Sequence, residues 1–266
     1  MPCKICSSDT APFATAHVLG RHVVRYFRCG HCGTVQTEPP FWLEAAYSSA
    51  ITGSDLGLVS RNITQARTSR AIIKAFFRPA GTFVDYGGGY GLFVRLMRDH
   101  GFNFLRYDRY CENLFARGFD AELTPTARFE LVTAFEVFEH LVDPLVTIEE
   151  MLAHSDNILF STLLIPDPAP KPGEWWYYGL EHGQHVVFYT AKALAIMARR
   201  HGLFLHSKND ELHLLTRKRI SPALFKLAAS RKLGGWLDHL GSRRSLLEAD
   251  YAKVVGTTGG PAGMLK

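Results

Sequence analysis

The stretch Val84-Asp85-Tyr86-Gly87-Gly88-Gly89-Tyr90-Gly91 decides the fold class of this 266-residue chain. An apolar run that ends in an acid leads into four glycines within five positions, and the helix-like run LFVRLMRDH follows. Glycines directly after a strand remove Cβ atoms where a ligand has to touch the backbone. The stretch therefore predicts a β-strand, a ligand-binding turn and an α-helix in succession.

Three kinds of glycine-rich turn compete for this stretch. A phosphate-cradling loop needs a Lys-Ser/Thr pair after the glycines, where this chain has Leu92-Phe93. A dinucleotide fingerprint, G-x-G-x-x-G, would place Leu92 at its third glycine if Gly87 and Gly89 were the first two. The pattern D-x-G-x-G-x-G is complete, in Asp85, Gly87, Gly89 and Gly91.

Strand-like and helix-like runs alternate between residues 81 and 216. The strand-like runs are TFVDYG, NFLRYD, FELVTAFEV, NILFSTLL, LFLHSK and ELHLLTRK, and the helix-like runs are LFVRLMRDH, ENLFARG, PLVTIEEMLAH and AKALAIMARRHG. Such alternation predicts an α/β fold with a mostly parallel sheet. Ligands of these sheets bind beyond the carboxyl ends of the strands, so we expect functional residues directly after strands.

Over residues 80–216 the chain resembles the class I S-adenosylmethionine-dependent methyltransferases. The resemblance rests on the complete glycine turn, on Asp108 at the end of the next strand, and on the pair Glu139-His140 after the FELVTAFEV run. It implies a Rossmann-like, seven-stranded, mostly parallel sheet with helices on both faces. It also implies S-adenosyl-L-methionine as cofactor.

The same resemblance assigns the cofactor contacts. It implies that the acid and glycines of the turn orient the methionine part, and that Asp108 accepts hydrogen bonds from the ribose. Aromatic faces favour a sulfonium cation, and Tyr86, Tyr90 and Phe135 are available. The implied contacts are Asp85, Tyr86, Gly87, Gly89, Gly91, Asp108, Ala134, Phe135 and Glu136, with Asp120 or Ala121 near the adenine.

Four of the five cysteines lie in the first 32 residues, as Cys3-x-x-Cys6 and Cys29-x-x-Cys32. Two C-x-x-C turns can close a tetrahedral four-sulfur shell, so we expect Cys3, Cys6, Cys29 and Cys32 to bind Zn2+. An export signal is not recognisable, so a cytoplasmic location is expected and disulfides are not. The metal is expected to stabilise a module over residues 1–38 and to take no part in catalysis.

Composition divides the remaining chain into a helical linker over residues 39–80, a methyltransferase domain over 81–216 and a basic helical tail over 217–266. The net charge of +5 lies mainly in the tail, and it is too small to demand nucleic acid. We expect helices broken at Gly234-Gly235, a weak contact with a membrane surface or partner, and a disordered end from Gly256. A membrane-spanning run of about 18 apolar residues is not present.

Residues 166–190, PDPAPKPGEWWYYGLEHGQHVVFYT, read as a loop that is longer than an ordinary β–α connection. The aromatic run from Trp175 to Tyr178 predicts a lid or substrate wall, with a hydrophobic plug as the alternative. A hydroxyl or carbon-acid acceptor needs a base to take its proton. The candidates in this loop are His182 and His185, because histidine is most easily poised near neutral pH.

A narrower resemblance concerns the sugar C-methyltransferases that act on nucleotide-linked keto-sugars. It rests on the cysteine pairs, on Tyr47-Ser48-Ser49 and on residues 184–190, QHVVFYT. It implies that His185 is the general base and that the acceptor is a small molecule, either a sugar nucleotide or another glycan or secondary-metabolite intermediate. Gln184 stands where that group has an acidic residue.

Two other functions remain open from the sequence. One is a zinc-containing RNA base methyltransferase, although Ala134-Phe135-Glu136-Val137 differs from the N-P-P-Y element of many amino-directed enzymes. Salt-dependent binding to bulk RNA would be required only of that function. The other is a non-catalytic scaffold bound through its zinc module, which would not bind the cofactor. The acceptor atom and the oligomeric state are not determined by the sequence.

Overall fold

The computed structural model describes residues 1–47, 53, 55–230 and 243–258, which form two β-sheets. The strands of the smaller sheet are β1 Thr10–Val18, β2 His22–Cys29, β3 Val35–Thr37 and β8 Val187–Phe188. They pair antiparallel in the order β1-β2-β3-β8. Because β8 lies about 150 residues after β3, this sheet joins the N-terminal segment to the loop that carries the predicted histidines.

The larger sheet holds six strands within the described ranges, in the order β5-β4-β6-β7-β10-β9. They are β4 Thr82–Tyr86, β5 Asn103–Tyr107, β6 Leu131–Phe135, β7 Asn157–Ser161, β9 Phe204–Lys208 and β10 Leu212–Thr216. Strands β5, β4, β6 and β7 pair in parallel, and β10 pairs antiparallel with both of its neighbours. The predicted Rossmann-like, mostly parallel sheet is confirmed.

Helices cover both faces of this sheet. They are α1 Leu43–Ala46, α2 Leu58–Phe76, α3 Leu92–Asp99, α4 Pro144–Leu152, α5 Ala191–Arg200, α6 Pro222–Ala228 and α7 Leu247–Thr258. Successive residues of a strand point to opposite faces, so Ile158 joins the core under α4 and α5 while Leu159 joins the core under α2, α3 and α6. The prediction of helices on both faces is confirmed.

The seventh position of the sheet, beside β5, is represented by a single bridge. The Arg106 N–H donates to the Phe119 carbonyl at 2.8 Å, the Ala121 N–H donates to the Arg106 carbonyl at 2.6 Å, and Asp120 pairs with Arg106 between them. The chain then enters a turn in which the Ala127 N–H bonds the Thr124 carbonyl, so pairing stops after one residue. The expected third strand is therefore much shorter than its neighbours.

The prediction of a helix at ENLFARG, residues 112–118, is wrong. Asn113 accepts a hydrogen bond from the Ala116 N–H through Oδ1 at 2.9 Å, while the N–H groups of Leu114 and Phe115 bond the Tyr90 carbonyl at 3.0 Å. A short polar side chain that satisfies its neighbours' backbone groups competes with helix formation. The segment instead packs as a loop against the glycine turn.

The first part of the basic tail belongs to the core, because Phe225 of α6 is fully buried. Helix α7 docks on α3 through a buried ion pair in which Arg98 contacts Asp250 at 2.6 Å. Helix α7 extends to Thr258, so the expected disordered end does not begin at Gly256. Residues 231–242, with the predicted break at Gly234-Gly235, lie outside the described part, as do 259–266. No helix in the described part is long and apolar enough to cross a membrane.

Candidate active site

A cavity of about 1050 Å³ lies beyond the carboxyl ends of β4, β5 and β6. We distinguish two groups within its lining, which also includes residues of α1, α2, α3 and α4. The glycine cluster comprises residues 85–90, 107–111 and 135–137, which follow these three strands. The histidine cluster comprises Tyr47, His140, Trp176, Tyr177 and residues 181, 182, 184 and 185. The sheet positions the first group directly, and loops from three distant parts of the chain supply the second.

The glycine turn is fixed to the neighbouring strand by its backbone. The N–H groups of Gly87 and Gly88 both donate to the Tyr107 carbonyl, at 2.8 and 3.2 Å. A Cβ on Gly88 would lie 2.9 Å from Asp85 Oδ2 and 3.1 Å from Arg106 Cγ, and one on Gly87 would lie 2.7 Å from Val137. The D-x-G-x-G-x-G pattern leaves Gly88 unspecified, so the sequence prediction missed a glycine that this packing requires.

Asp108 is held by three backbone donors. The Gly89 N–H donates to its Oδ2 at 2.9 Å, and the N–H groups of Tyr110 and Cys111 donate to its Oδ1 at 2.8 Å. These bonds fill three of the about four lone-pair positions of a carboxylate and leave one on Oδ2. Asp108 is thus a fixed acceptor beside the glycine turn, where the sequence placed it.

Asp85 lies beneath the turn and is almost fully buried. The Thr133 hydroxyl donates to its Oδ1 at 2.6 Å. Burial raises the pKa of this carboxyl to about 7, because the charged form loses its hydration. The neighbouring Tyr86 hydroxyl donates to Glu150 at 2.8 Å, which fixes the ring at the cavity wall.

The remaining predicted contacts divide between the cavity and the core. Phe135 and Glu136 line the cavity. Glu136 has a left-handed backbone, with φ of 53°, and its N–H bonds the Ser161 hydroxyl at 2.9 Å. Ala134 is buried in the core between the sheet and α5. Gly91 starts α3 with φ of 83°, and a Cβ there would lie 2.7 Å from Asn113, so its main constraint is the loop beside it.

Three histidines meet in the histidine cluster, and each has a ring nitrogen engaged. His185 Nδ1 donates to the Tyr177 carbonyl at 2.6 Å, so its Nε2 carries the lone pair of the neutral ring. His182 Nδ1 accepts from the Gln184 N–H at 3.1 Å, so its Nε2 carries the proton. His140 Nδ1 bonds the Tyr47 hydroxyl at 3.0 Å.

Burial keeps these rings neutral. It lowers the pKa of His185 well below its ordinary value, lowers that of His182, and lowers that of His140 to about 3. The rings of His140 and His185 lie 4.8 Å apart, so a charge on one would oppose a charge on the other. His182 and His185 therefore share the cavity but differ in chemistry, since one offers a proton and the other a lone pair.

The pair Glu139-His140 supports the family resemblance, but the sequence alone assigns neither residue a role in the site. Glu139 is fully buried beside His140, and burial together with the charge of Glu136 raises the pKa of its carboxyl to about 8. The E-H pair was visible in the sequence, but its contact with His185 depends on the fold.

The cavity lining is acidic although the chain is basic. Eight carboxylates line it: Glu44, Asp55, Asp85, Asp108, Glu136, Asp143, Glu150 and Glu181. The two arginines that the structure places in the lining are both paired, Arg61 with Asp55 at 2.6 Å and Arg109 with Glu150 at 2.5 Å. The cavity therefore favours cationic or neutral ligands over phosphates.

The aromatic run divides into two parts. Tyr177 and Tyr178 are buried, and the Tyr178 hydroxyl donates to the Pro170 carbonyl at 2.6 Å. Trp176 is 76% exposed and lines the cavity. Tyr178 fills the space under the loop, Tyr177 contributes to the cavity lining from a buried position, and Trp176 is exposed as a wall of the cavity.

The four N-terminal cysteines converge as predicted. Sγ atoms of Cys3 and Cys32 lie 3.5 Å apart, as do those of Cys6 and Cys29, and all four lie within 4.8 Å of one another. Tetrahedral Zn2+ with four sulfurs at 2.3 Å would separate neighbouring sulfurs by about 3.8 Å. Backbone N–H groups of Ile5 and Cys32 approach Cys3 Sγ and Cys29 Sγ at 3.4 Å. The donor set fits Zn2+.

The pattern of the methyltransferase-domain family matches residues 60–208, which is more than half of the chain. No curated protein matches the sequence.

Several solved methyltransferase structures align with part of the chain. Human N-acetylserotonin methyltransferase in complex with SAM aligns at 14% identity and a TM-score of 0.44, over 67% of this chain and 66% of the human chain. A methyltransferase of calicheamicin biosynthesis with SAH aligns at 16% and 0.44, over 66% and 58%. The plantazolicin methyltransferase with SAH aligns at 10% and 0.46, over 65% and 95%. The chain thus spans two thirds or less of the first two proteins.

Proposed function

The chain belongs to the class I S-adenosylmethionine-dependent methyltransferases, and we propose that it methylates a small-molecule acceptor bound beside the histidine cluster. The observation that carries this proposal is the glycine cluster. In the turn that follows β4, a side chain at Gly87 or Gly88 would collide with neighbouring atoms. Beside this turn lies Asp108, whose carboxylate is held in place by three N–H groups.

The residues of the glycine cluster fit S-adenosylmethionine. We propose that Asp108 accepts a ribose hydroxyl through the free position on Oδ2, and that Asp120 or Ala121 borders the adenine. The backbone of Gly87–Gly89, with Asp85 and Tyr86, would orient the methionine part, with Phe135 and Glu136 on its other side. When bound, the cofactor supplies a methyl group on a positively charged sulfur.

The side chains of the histidine cluster would prepare the acceptor. His182 offers Nε2–H as a hydrogen-bond donor to an acceptor oxygen. His185 offers the Nε2 lone pair, and we propose that this lone pair activates the acceptor. Two forms of activation are open to it: His185 takes the acceptor's proton as a general base, or it helps to hold a Lewis acid that makes the acceptor more acidic.

A nucleotide-linked keto-sugar is the finer candidate for the acceptor, and the resemblance of residues 184–190 supports it. The charge of the cavity weighs against the diphosphate of such a molecule, because both lining arginines are already paired. Residues 48–52 and 54, which follow the lining residue Tyr47 in the sequence, contain no Lys or Arg. A sugar or other hydroxy compound without phosphate fits the lining better.

We also propose that the four cysteines hold one structural Zn2+. All four positions of a tetrahedral ion would be filled by protein, so no catalytic position would remain. The module would act on the site through the sheet, because β3 pairs with β8 and the Thr37 N–H bonds the Val186 carbonyl at 3.0 Å. These bonds lie directly beside His185. The division into a module, a linker, a methyltransferase domain and a basic tail is part of this proposal.

Titration calorimetry with S-adenosylmethionine tests the cofactor site. Asp108→Ala should weaken binding by about 100-fold or more, because two or more charge-assisted hydrogen bonds that order the site are lost. Asp156→Ala is the matched control, since Asp156 pairs only with Arg217 on the surface in the described structure. Equal affinity of Asp108→Ala and the unmodified chain would contradict the proposal.

Turnover tests the acceptor side. A panel of nucleotide-linked keto-sugars, uncharged sugars and phenols is incubated with the enzyme and labelled cofactor, and methylated products are detected by mass spectrometry. His185→Ala should retain cofactor affinity and lose about 100-fold or more in turnover. Retained turnover would remove His185 from the mechanism, and bulk RNA as the only methylated substrate would favour the RNA enzyme instead.

A further inference from the structure

We propose that Glu139, His140 and His185 bind a divalent metal ion of the zinc type beside the cavity, as a second site distinct from the four cysteines. The inference rests on the proposed methyl transfer and decides between the two forms of activation open to His185. It assigns the Nε2 lone pair of that ring to the metal.

The first observation is the convergence of three ligand groups. A carboxylate oxygen of Glu139 and one ring nitrogen each of His140 and His185 lie within 4.8 Å of one another, with His140 Nε2 at 3.9 Å from Glu139 Oε1. Two hydrogen bonds fix the segments that carry them. The Val186 N–H donates to the Glu139 carbonyl at 2.8 Å, and the Tyr189 hydroxyl donates to the Phe138 carbonyl at 2.7 Å.

The second observation is the orientation of the histidines. Metal-binding histidines usually donate their other N–H to a carbonyl or another oxygen, which fixes the ring and its tautomer. His185 Nδ1 donates to the Tyr177 carbonyl, and His140 Nδ1 bonds the Tyr47 hydroxyl. In both rings Nε2 is the nitrogen that remains for a metal. Both histidines line the cavity, so an ion between them would be reachable from it.

The third observation is Glu139 itself. It is fully buried, and among the described residues no group makes a well-formed hydrogen bond to either carboxylate oxygen. The Tyr177 and Thr162 hydroxyls lie near enough to lower its pKa, but burial outweighs them. A second buried carboxylate, Glu136, adds repulsion. Among the described residues, Arg61 is a cation whose charge reaches both acids, and it is already paired with Asp55 at 2.6 Å. A buried carboxylate without a partner is costly, and a divalent cation would remove that cost.

This donor set suits the chemistry required. One carboxylate and two imidazoles form a typical three-ligand catalytic zinc shell, with a fourth position left open. An acceptor oxygen placed there would become more acidic. Its O–H bond would break with the electron pair kept on oxygen and the proton passed to water, so no side chain would have to store the proton. Glu139 as a neutral carboxylic acid, with no metal, is the competing state.

Metal stoichiometry distinguishes these states. The full chain is freed of metal, reloaded with Zn2+, passed through a desalting column and analysed by mass spectrometry of the elements. We expect two zinc ions per unmodified chain and one per chain in Glu139→Gln, His140→Asn and His185→Asn. His182→Asn is the matched control from the same loop and should retain two. Cobalt substitution adds a second readout, because thiolate-to-cobalt absorption should persist in all four variants.

A single ion in the unmodified chain, or two ions in all three ligand variants, would overturn the second site. If one variant fails to fold, the other two and the unmodified chain still give the count. S-adenosylmethionine affinity is measured on the same samples. If the unmodified chain binds the cofactor but holds only one zinc ion, this inference is refuted and His185 remains the general base. If the unmodified chain does not bind the cofactor, the proposed function is refuted.

Discussion

The glycine and histidine clusters line one cavity, but the chain builds them differently. Each part of the glycine cluster follows its strand within a few residues, and its shape comes from backbone bonds such as those to the Tyr107 carbonyl. The histidine cluster draws on Tyr47, His140 and residues 176–185, and the N-terminal sheet anchors its last segment. A local motif therefore defines one part of the cavity, and long-range packing defines the other.

Loss of the cysteine site should give the largest difference between the two clusters. It should loosen the segments around the histidine cluster and leave the glycine cluster intact. Cys29→Ser removes one proposed zinc ligand, and structural zinc contributes on the order of 10 kcal/mol to the folding of small domains. Amide hydrogen exchange should accelerate in β1, β2, β3 and residues 186–189, while β4 and β6 stay protected. Calorimetry should give a cofactor affinity within about three-fold of the unmodified chain.

Cys111→Ser is the control for the hydrogen-exchange measurement, because Cys111 lies outside the four-sulfur group. Equal protection of β8 in Cys29→Ser and the unmodified chain would show that the module does not anchor the histidine cluster.

Gly88→Ala should distort the glycine cluster and leave the histidine cluster unchanged. The added Cβ would meet Asp85 Oδ2 at 2.9 Å and the Asp85 carbonyl at 3.2 Å, so the turn has to shift. Cofactor affinity should fall by about 100-fold, equivalent to about 3 kcal/mol, while exchange in residues 184–189 stays unchanged. Gly256→Ala, with open space around its Cβ position, should behave like the unmodified chain in both measurements.

Asp85→Asn probes the charge beneath the turn. Burial raises the pKa of Asp85 to about 7, above the about 3.9 of an exposed aspartate, so the folded state holds the proton more tightly. The ionised carboxyl therefore costs stability progressively as pH rises from about 4 to about 7. We expect urea titrations without cofactor to give a free energy of unfolding for Asp85→Asn that rises relative to that of the unmodified chain by about 2 kcal/mol between pH 5 and pH 8. If the difference in free energy of unfolding between the two chains is the same at pH 5 and pH 8, Asp85 does not titrate in this range.

Trp176→Ala should have the smallest effect. The side chain is 76% exposed, so the free energy of unfolding should change by less than about 0.5 kcal/mol and cofactor affinity should not change. Tyr178→Ala is the contrast, because this ring is buried and its loss should cost about 3 to 5 kcal/mol. If Trp176→Ala weakens the binding of an identified acceptor without altering stability, the tryptophan is a wall for that acceptor.

Prediction from sequence succeeded where interactions are short in range. Asp85, Gly87 and Asp108 lie at the carboxyl ends of the strands that the alternation predicted, and four cysteines at C-x-x-C spacing converge. It failed at residues 112–118, where Asn113 binds its own neighbours and prevents a helix. It also missed Gly88, because the contacts that a Cβ would make there, with Asp85 Oδ2 at 2.9 Å and Arg106 Cγ at 3.1 Å, depend on how the turn packs on the sheet.

The amino-acid sequence by itself determined the α/β sheet, the acid-glycine turn and the four-cysteine group, because hydrophobic periodicity and close spacing fix local geometry. The tertiary structure alone decided the rest of the cavity. It brought Glu139 and His140 against His185, left both Glu139 oxygens without a well-formed hydrogen bond among the described residues, and collected eight acidic residues around one cavity in a chain of net charge +5. Such groupings depend on which distant segments pack together, and the β3–β8 pairing holds the segment that follows His185.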